Sequence, residues 1–150
     1  MPDPDPILFY EGRFYMFSNF SSFAIDMWGE RWMTSEHAYQ AQKFEDEAIR
    51  RHIRDALSAH DAKVIARTIA TEREGARRPN WHEIKLGVME EIVRRKIEQH
   101  LYVRRRLLET AGRTIIEDSP SDSFWGRGPD WKGYNHLGKI WMKIRDELIV

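Results

Sequence analysis

From Trp81 onward, apolar side chains fall in two adjacent rows: Trp81, Ile84, Val88 and Ile92 in one, Met89, Val93, Ile97 and Leu101 in the other. Spacing by three and four residues belongs to a helix buried over a broad stripe, and it excludes a strand, whose period is two. The rows predict a long helix opening at Trp81 and reaching toward Thr110 with a break near His100. One such element commits a chain of 150 residues to a helix-rich core. Shorter rows agree with it. Ile49, Ile53 and Leu57 line one face of a helix over 46–57. Ala62, Ile65, Ala66 and Ile69 line another that Ser58 caps. Leu137, Ile140, Trp141, Ile144 and Leu148 form the last. Short strands are expected over 7–10, 23–28 and 113–119, with Gly29 turning the second into a hairpin partner over 30–33. Thr34 or Ser35 then caps a helix over 36–45. The expected fold is α+β, a mainly helical single domain over 7–150, since domains commonly run about 100–150 residues. Residues 1–6, with prolines at alternate positions, read as an extended, flexible tail.

Charge narrows the function. Lys plus Arg number 24 and Asp plus Glu number 24, leaving no formal net charge. A protein that wraps a phosphate backbone carries a positive excess, so duplex nucleic acid is not expected as the main partner; a local basic pocket remains open. No run is long and apolar enough for a membrane span. The tail Met1-Pro2-Asp3-Pro4-Asp5-Pro6 lacks the features of a signal peptide, and a cytoplasmic location is expected. Cysteine is absent, which removes disulfides, thiolate nucleophiles and Cys-held metals. No two of the six histidines are four apart, and no phosphate-binding glycine loop or nucleophile elbow occurs, so neither a metal nor a cofactor is expected.

Two segments stand out as chemistry. Glu36, Tyr39, Gln40 and Lys43 share one helical face, a column of carboxylate, phenol, amide and ammonium. That column reads either as a solvated stripe or as the wall of a site, and Glu36 would lie in the first turn, where the helix N-terminus favours a charged carboxylate. The second segment, Asp122-Ser123-Phe124-Trp125-Gly126-Arg127-Gly128, puts large aromatics in a loop. Its glycines would let backbone approach a ligand, and Trp125 would stack on a base or plug the core beneath the loop. Asp122 is open to two roles, site carboxylate or turn cap, and Asp118 flanks the same loop. Upstream, Asn19 in Phe17-Ser18-Asn19-Phe20 suits a ribose hydroxyl, a base edge or a local turn. Arg73, Arg77 and Arg78 lie in an irregular segment where their forked donors would suit a phosphate.

Phe17-Ser18-Asn19-Phe20, Ser35-Glu36-His37-Ala38-Tyr39-Gln40-Ala41-Gln42-Lys43-Phe44 and Asp122 to Gly126, with Asn135-x-Leu137-Gly138, resemble in order and spacing the motifs of the YbiA-like, or NADAR, family. The resemblance runs from about Ile7 to Leu148. It implies an α+β fold and an N-glycosidase activity, either on phosphoribosylamino-pyrimidine intermediates of riboflavin biosynthesis or on ADP-ribose attached to guanine in nucleic acid. A non-catalytic module binding ADP-ribose or NAD is the reading from another class. By this similarity Glu36, Lys43, Asp122 and Trp125 are active-site residues, and Asn19, Phe20 and Asn135 line the pocket. Lys43 with Arg73, Arg77 or Arg78 would pair with phosphate, and Glu36 would face the Trp125 ring across a cleft. Arg127 and Trp131, around the loop, mark where this chain departs from the motif.

Overall fold

Among the described residues, 5–150, the computed structural model has six α-helices, four three-residue strands and one 3-10 turn at Tyr15–Phe17. In chain order they are β1 (Ile7–Phe9), β2 (Ile25–Met27), β3 (Glu30–Trp32), α1 (Ser35–Gln42), α2 (Glu47–Arg54), α3 (Ala59–Glu72), α4 (Trp81–Gln99), α5 (Leu101–Leu108), β4 (Ile115–Glu117) and α6 (His136–Ile149). This is a mainly helical α+β fold. The chain divides into two units, Asn19–Lys96 and the segment ending at Ser18 together with Ile97–Val150. Of the tail over 1–6, residues 1–4 lie outside the described residues; Asp5 accepts a hydrogen bond on its carbonyl from Arg113 Nε, at 2.7 Å. No helix among the described residues is long and apolar enough to cross a membrane.

In the unit Asn19–Lys96, β2 and β3 pair antiparallel with Ile25 opposite Trp32. Trp28 and Gly29 both take positive φ at the turn, 55° and 77°, the geometry a two-residue hairpin needs to match the twist of its strands. The chain then enters α1, capped by Thr34. Asp46 caps α2 and Ser58 caps α3, each accepting from the amide three residues on. Helix α2 buries Ile49 and Ile53, but Leu57 lies past its end and is 86% exposed, so the expected apolar row stops one residue short. On α3 the buried side chains are Ala59, Ala62 and Ala66, with Ile65 and Ile69 only half-buried. Small residues carry that contact because they let helices approach closely.

Helix α4 buries Trp81, Met89, Ile92 and Val93. It also buries Lys96 completely, with Nζ donating to Ser21 Oγ at 3.0 Å and lying 5.4 Å from the Phe23 ring centre. Burial disfavours the ammonium and pushes its pKa down to about 7.

In the other unit, the break expected near His100 falls there, where an extended φ of −128° separates α4 from α5. Strands β1 and β4 pair in parallel, Ile7 opposite Ile115 and Phe9 opposite Glu117. Both segments read as strands in the sequence, but nothing local specifies a partner 108 residues away. Phe9, Phe17 and Trp141 pack ring against ring, and Trp141 Nε1 donates to Phe17 O at 3.1 Å. Arg145, almost wholly buried, donates to the carbonyls of Thr110 and Arg113 and so ties α6 to the turn before β4.

Helix α6 lies so close to β4 that a Cβ on Gly138 would stand 2.2 Å from the carbonyl oxygen of Ile115, a backbone atom that cannot swing away. Gly138→Ala is therefore expected to cost about 2–3 kcal/mol of unfolding free energy, read by urea denaturation. A loss under about 0.5 kcal/mol would mean the helix shifts freely.

Candidate active site

All eight residues of α1 are buried, although its sequence, Ser-Glu-His-Ala-Tyr-Gln-Ala-Gln, is largely polar. Burial on all sides rules out the solvated-stripe reading. Such a helix is stable only where its polar groups find partners inside the protein. His37 N donates to Thr34 Oγ1 at 3.2 Å, Glu36 N donates to Asn19 O at 3.0 Å, and so the first turn loses few of its unpaired donors to burial. The His37 ring is held at both nitrogens, 2.7 Å from Thr34 Oγ1 and 3.0 Å from Ala56 O. A carbonyl only accepts, so in the neutral ring Nε2 carries the proton and Nδ1 accepts from the Thr34 hydroxyl.

Glu36 is only 7% exposed, and Gln40 Nε2, one turn on, donates to its Oε1 at 2.7 Å. That bond fixes the orientation of the Gln40 amide and leaves Gln40 Oε1 buried without a partner. Asn19 Oδ1, Ser35 Oγ and Gln42 Nε2 are likewise buried and unpartnered, while Asn19 Nδ2 donates to Met89 Sδ at 3.4 Å. Unpaired polar atoms on and beside one helix are unusual in a protein interior. Phe20, next to Asn19, is half-buried.

Lys43, which caps the C-terminal end of α1, lies over the Tyr39 ring at 5.4 Å, and Tyr39 in turn packs on Trp81. The segment after α3 is strung alongside: Arg78 N donates to Lys43 O at 2.8 Å, Arg78 Nε to Gln42 O at 2.7 Å, and Phe44 bridges Arg77. Lys43, Arg77 and Arg78 border an open cleft of about 540 Å³, lined also by Gln40, Lys63 and Arg67 among others, whereas Glu36 and Asn19 are not in its lining. Arg73, exposed at the end of α3, falls outside the lining. Lys63 and Arg67 are cations that sequence reading passed over; their four-residue spacing beside Ala66 and Ala70 was the available signal. Burial lowers the pKa of Lys43 to about 8, against the attraction of Glu36, and the charges of Arg77, Lys63 and Arg67 lower it further.

In the other unit, the loop from Asp118 to Asn135 is a folded structure of its own. Asp122 Oδ1 accepts from the amides of Phe124 and Trp125, at 3.0 and 2.8 Å, so this carboxylate does organise a turn, and the turn presents Trp125. Asp118 is engaged by Arg127 Nε at 2.5 Å. The Arg127 guanidinium stacks on exposed Trp131, 4.1 Å from the ring centre. Trp125 is half-buried and edge-on to Phe124, with His136 beside both rings. Asn135 takes a left-handed conformation and spends its amide on β4, accepting from Glu117 N and donating to Ile115 O, both at 2.9 Å. The loop glycines allow close packing within the protein: a Cβ on Gly126 would meet Glu117 O at 2.9 Å, one on Gly128 the Ser123 hydroxyl at 2.7 Å, and one on Gly133 Gly126 O at 2.4 Å.

Known proteins share both fold and sequence with this chain. The solution NMR structure of the Escherichia coli protein YbiA matches with a TM-score of 0.86 and 39% identity, over 99% of this chain and 87% of that one. The protein named N-glycosidase YbiA in Escherichia coli (strain K12) is 40% identical over 134 residues, 89% of this chain and 81% of that protein. N-glycosidase Npun_R5314 of Nostoc punctiforme is 39% identical over 135 residues, 88% of this chain and 84% of that protein. A protein named for riboflavin biosynthesis, VVA0006 of Vibrio vulnificus, is 39% identical across 95% of this chain, which spans 38% of its length. The class is that of N-glycosyl hydrolases. The NADAR domain matches residues 8–149, and the chain belongs to that family.

The depressed Lys43 has a stability consequence. Below about pH 8 the folded protein holds this proton in an environment that disfavours it, and between about 8 and 10.5 the unfolded chain binds more protons than the folded one. Stability contributed here therefore rises with pH through that window. Lys43→Gln is expected to raise the unfolding free energy at pH 7 relative to the parent protein and to lose the advantage above pH 10, as followed by urea titrations. An advantage independent of pH would show that the ammonium is not the cause.

Proposed function

We propose that the protein hydrolyses the C1–N bond of a phosphoribosylamino-pyrimidine of riboflavin biosynthesis, releasing ribose 5-phosphate and an aminopyrimidine. The observation that carries this reading is the α1 column: a buried carboxylate at Glu36, held by Gln40, followed at the C-terminal cap of that helix by Lys43 at a cationic cleft. The names of the N-glycosidase and riboflavin-biosynthesis relatives support it.

Breaking a C1–N bond builds positive charge on the ribose, as glycosidic cleavage does generally. Glu36, beneath that carbon, stabilises the charge or orients the water that adds to C1. The departing base takes up the electron pair, and Asp122 holds its polar edge or supplies the proton. Trp125 stacks on the heterocycle, and Asn19, Phe20 and Asn135 border the sugar and base. Lys43 and Arg78 pair with the phosphate; Arg78 keeps Nη2 for it, since Nε and Nη1 bond Gln42 O and Glu45.

Glu36→Gln keeps an oxygen for the Gln40 amide while removing the charge. Turnover is expected to fall by about 100-fold or more with the melting temperature nearly unchanged, measured as ribose 5-phosphate released and detected by mass spectrometry. Near-parental turnover in this variant would remove Glu36 from the mechanism. Release of ADP-ribose from a modified oligonucleotide, with no release of ribose 5-phosphate, would move the substrate to ADP-ribosylated guanine. Binding without turnover across the panel would make the protein a binding module.

A further inference from the structure

The cleft holds more positive charge than its own carboxylates answer. Five cations line it, Lys43, Lys63, Arg67, Arg77 and Arg78, against one acidic lining residue, Glu74. Two of the five are partly engaged: Arg78 through Nε and Nη1 by Gln42 O and Glu45, which leaves Nη2 for a ligand, and Arg77 by the His82 ring at 3.3 Å. Lys63 and Arg67 make no side-chain hydrogen bond or ion pair among the described residues. They are four apart on α3 and so share a face, with buried Ala66 and half-buried Ala70 leaving room beside them. Both press their charge on Lys43, which is itself substantially removed from water. Like charges drawn together around a half-buried ammonium are unfavourable unless an anion joins them.

We propose that Lys63 and Arg67, with Lys43, form the binding site for a phosphomonoester dianion, and that this pair sets the preference for phosphorylated over dephosphorylated N-ribosides. The inference rests on the N-glycosidase reading above for its substrate and names the specificity residues of that site. Charge decides the class of ligand. Two uncommitted cations beside the half-buried Lys43 ammonium exceed what a monocarboxylate answers and suit a dianion, and the guanidinium fork of Arg67 matches two phosphate oxygens at once. The chain as a whole, with no net charge, has none of the excess that an extended nucleic-acid backbone calls for. The neighbouring Gln40 adds a buried, unpartnered acceptor, the complement of a sugar hydroxyl.

Two measurements on the full chain test this. Inorganic phosphate is titrated calorimetrically at pH 7.5 into the parent protein and into Lys63→Gln/Arg67→Gln. Phosphate affinity is expected to fall at least tenfold in the double variant, and further in Arg67→Glu, with melting temperatures held because both side chains reach the surface of the cleft. In parallel, kcat/KM is measured for one riboside with and without its 5′-phosphate. The ratio of the two is expected to collapse at least tenfold in the double variant, mainly through KM for the phosphorylated form. Equal phosphate affinity and an unchanged ratio in parent and variants would overturn the inference while leaving hydrolysis standing. Phosphate binding that is lost in the variants, in a protein that hydrolyses no N-riboside, would instead overturn the proposed function and keep the anion site.

Discussion

The unit Asn19–Lys96 depends on a polar helix that has been taken out of water. A segment rich in Ser, Glu, His and Gln has little apolar surface to reward its burial, so α1 stays inside only because neighbouring elements answer its polar groups. Thr34, Asn19 and Ala56 do so from three different places in the chain, through the first-turn amides and the His37 ring. A helix pinned in this way has little freedom to tilt or slide. That rigidity is what a carboxylate such as Glu36 needs if it is to act at one atom of a substrate. The polar atoms left over, Asn19 Oδ1 and Gln40 Oε1 among them, are then the exception that the surrounding satisfaction makes meaningful.

The other unit solves a different problem, that of making a long loop stiff. Asp122 gathers the amides of Phe124 and Trp125, Asn135 clamps the loop's far end to β4, and Arg127 joins Asp118 to Trp131. Each polar side chain here closes a local ring of contacts, so the aromatic cluster is presented on a fixed frame. Structural and chemical duties are not alternatives for Asp122: a carboxylate has two oxygens, and the turn is documented at Oδ1.

Much of this was legible in the residues because much of it is local. Caps at Thr34 and Ser58, the hairpin at Gly29 and the break near His100 follow from side chains acting within a few positions of themselves. Periodicity located the helices well and their buried faces less well. Leu57 and the α3 isoleucines look like core in a row, yet the row ends where the helix ends, and alanines make the closer contact. What depended on distant pairing was invisible: the parallel β1–β4 ladder, the close packing at the loop glycines, and the convergence of α3 cations on Lys43. The Glu36 column was visible as a face, but its burial could not be read from an amphipathic pattern it does not have.

The enclosed ammonium of Lys96 makes the folded chain a stronger acid at this position than the unfolded one. In the unfolded chain this side chain holds its proton throughout the physiological range, whereas inside the protein burial weakens its hold on that proton. Where the pH lies between the folded and unfolded values, folding releases hydrogen ion to the surrounding buffer, and the heat of folding then carries that buffer's own enthalpy of ionisation with it.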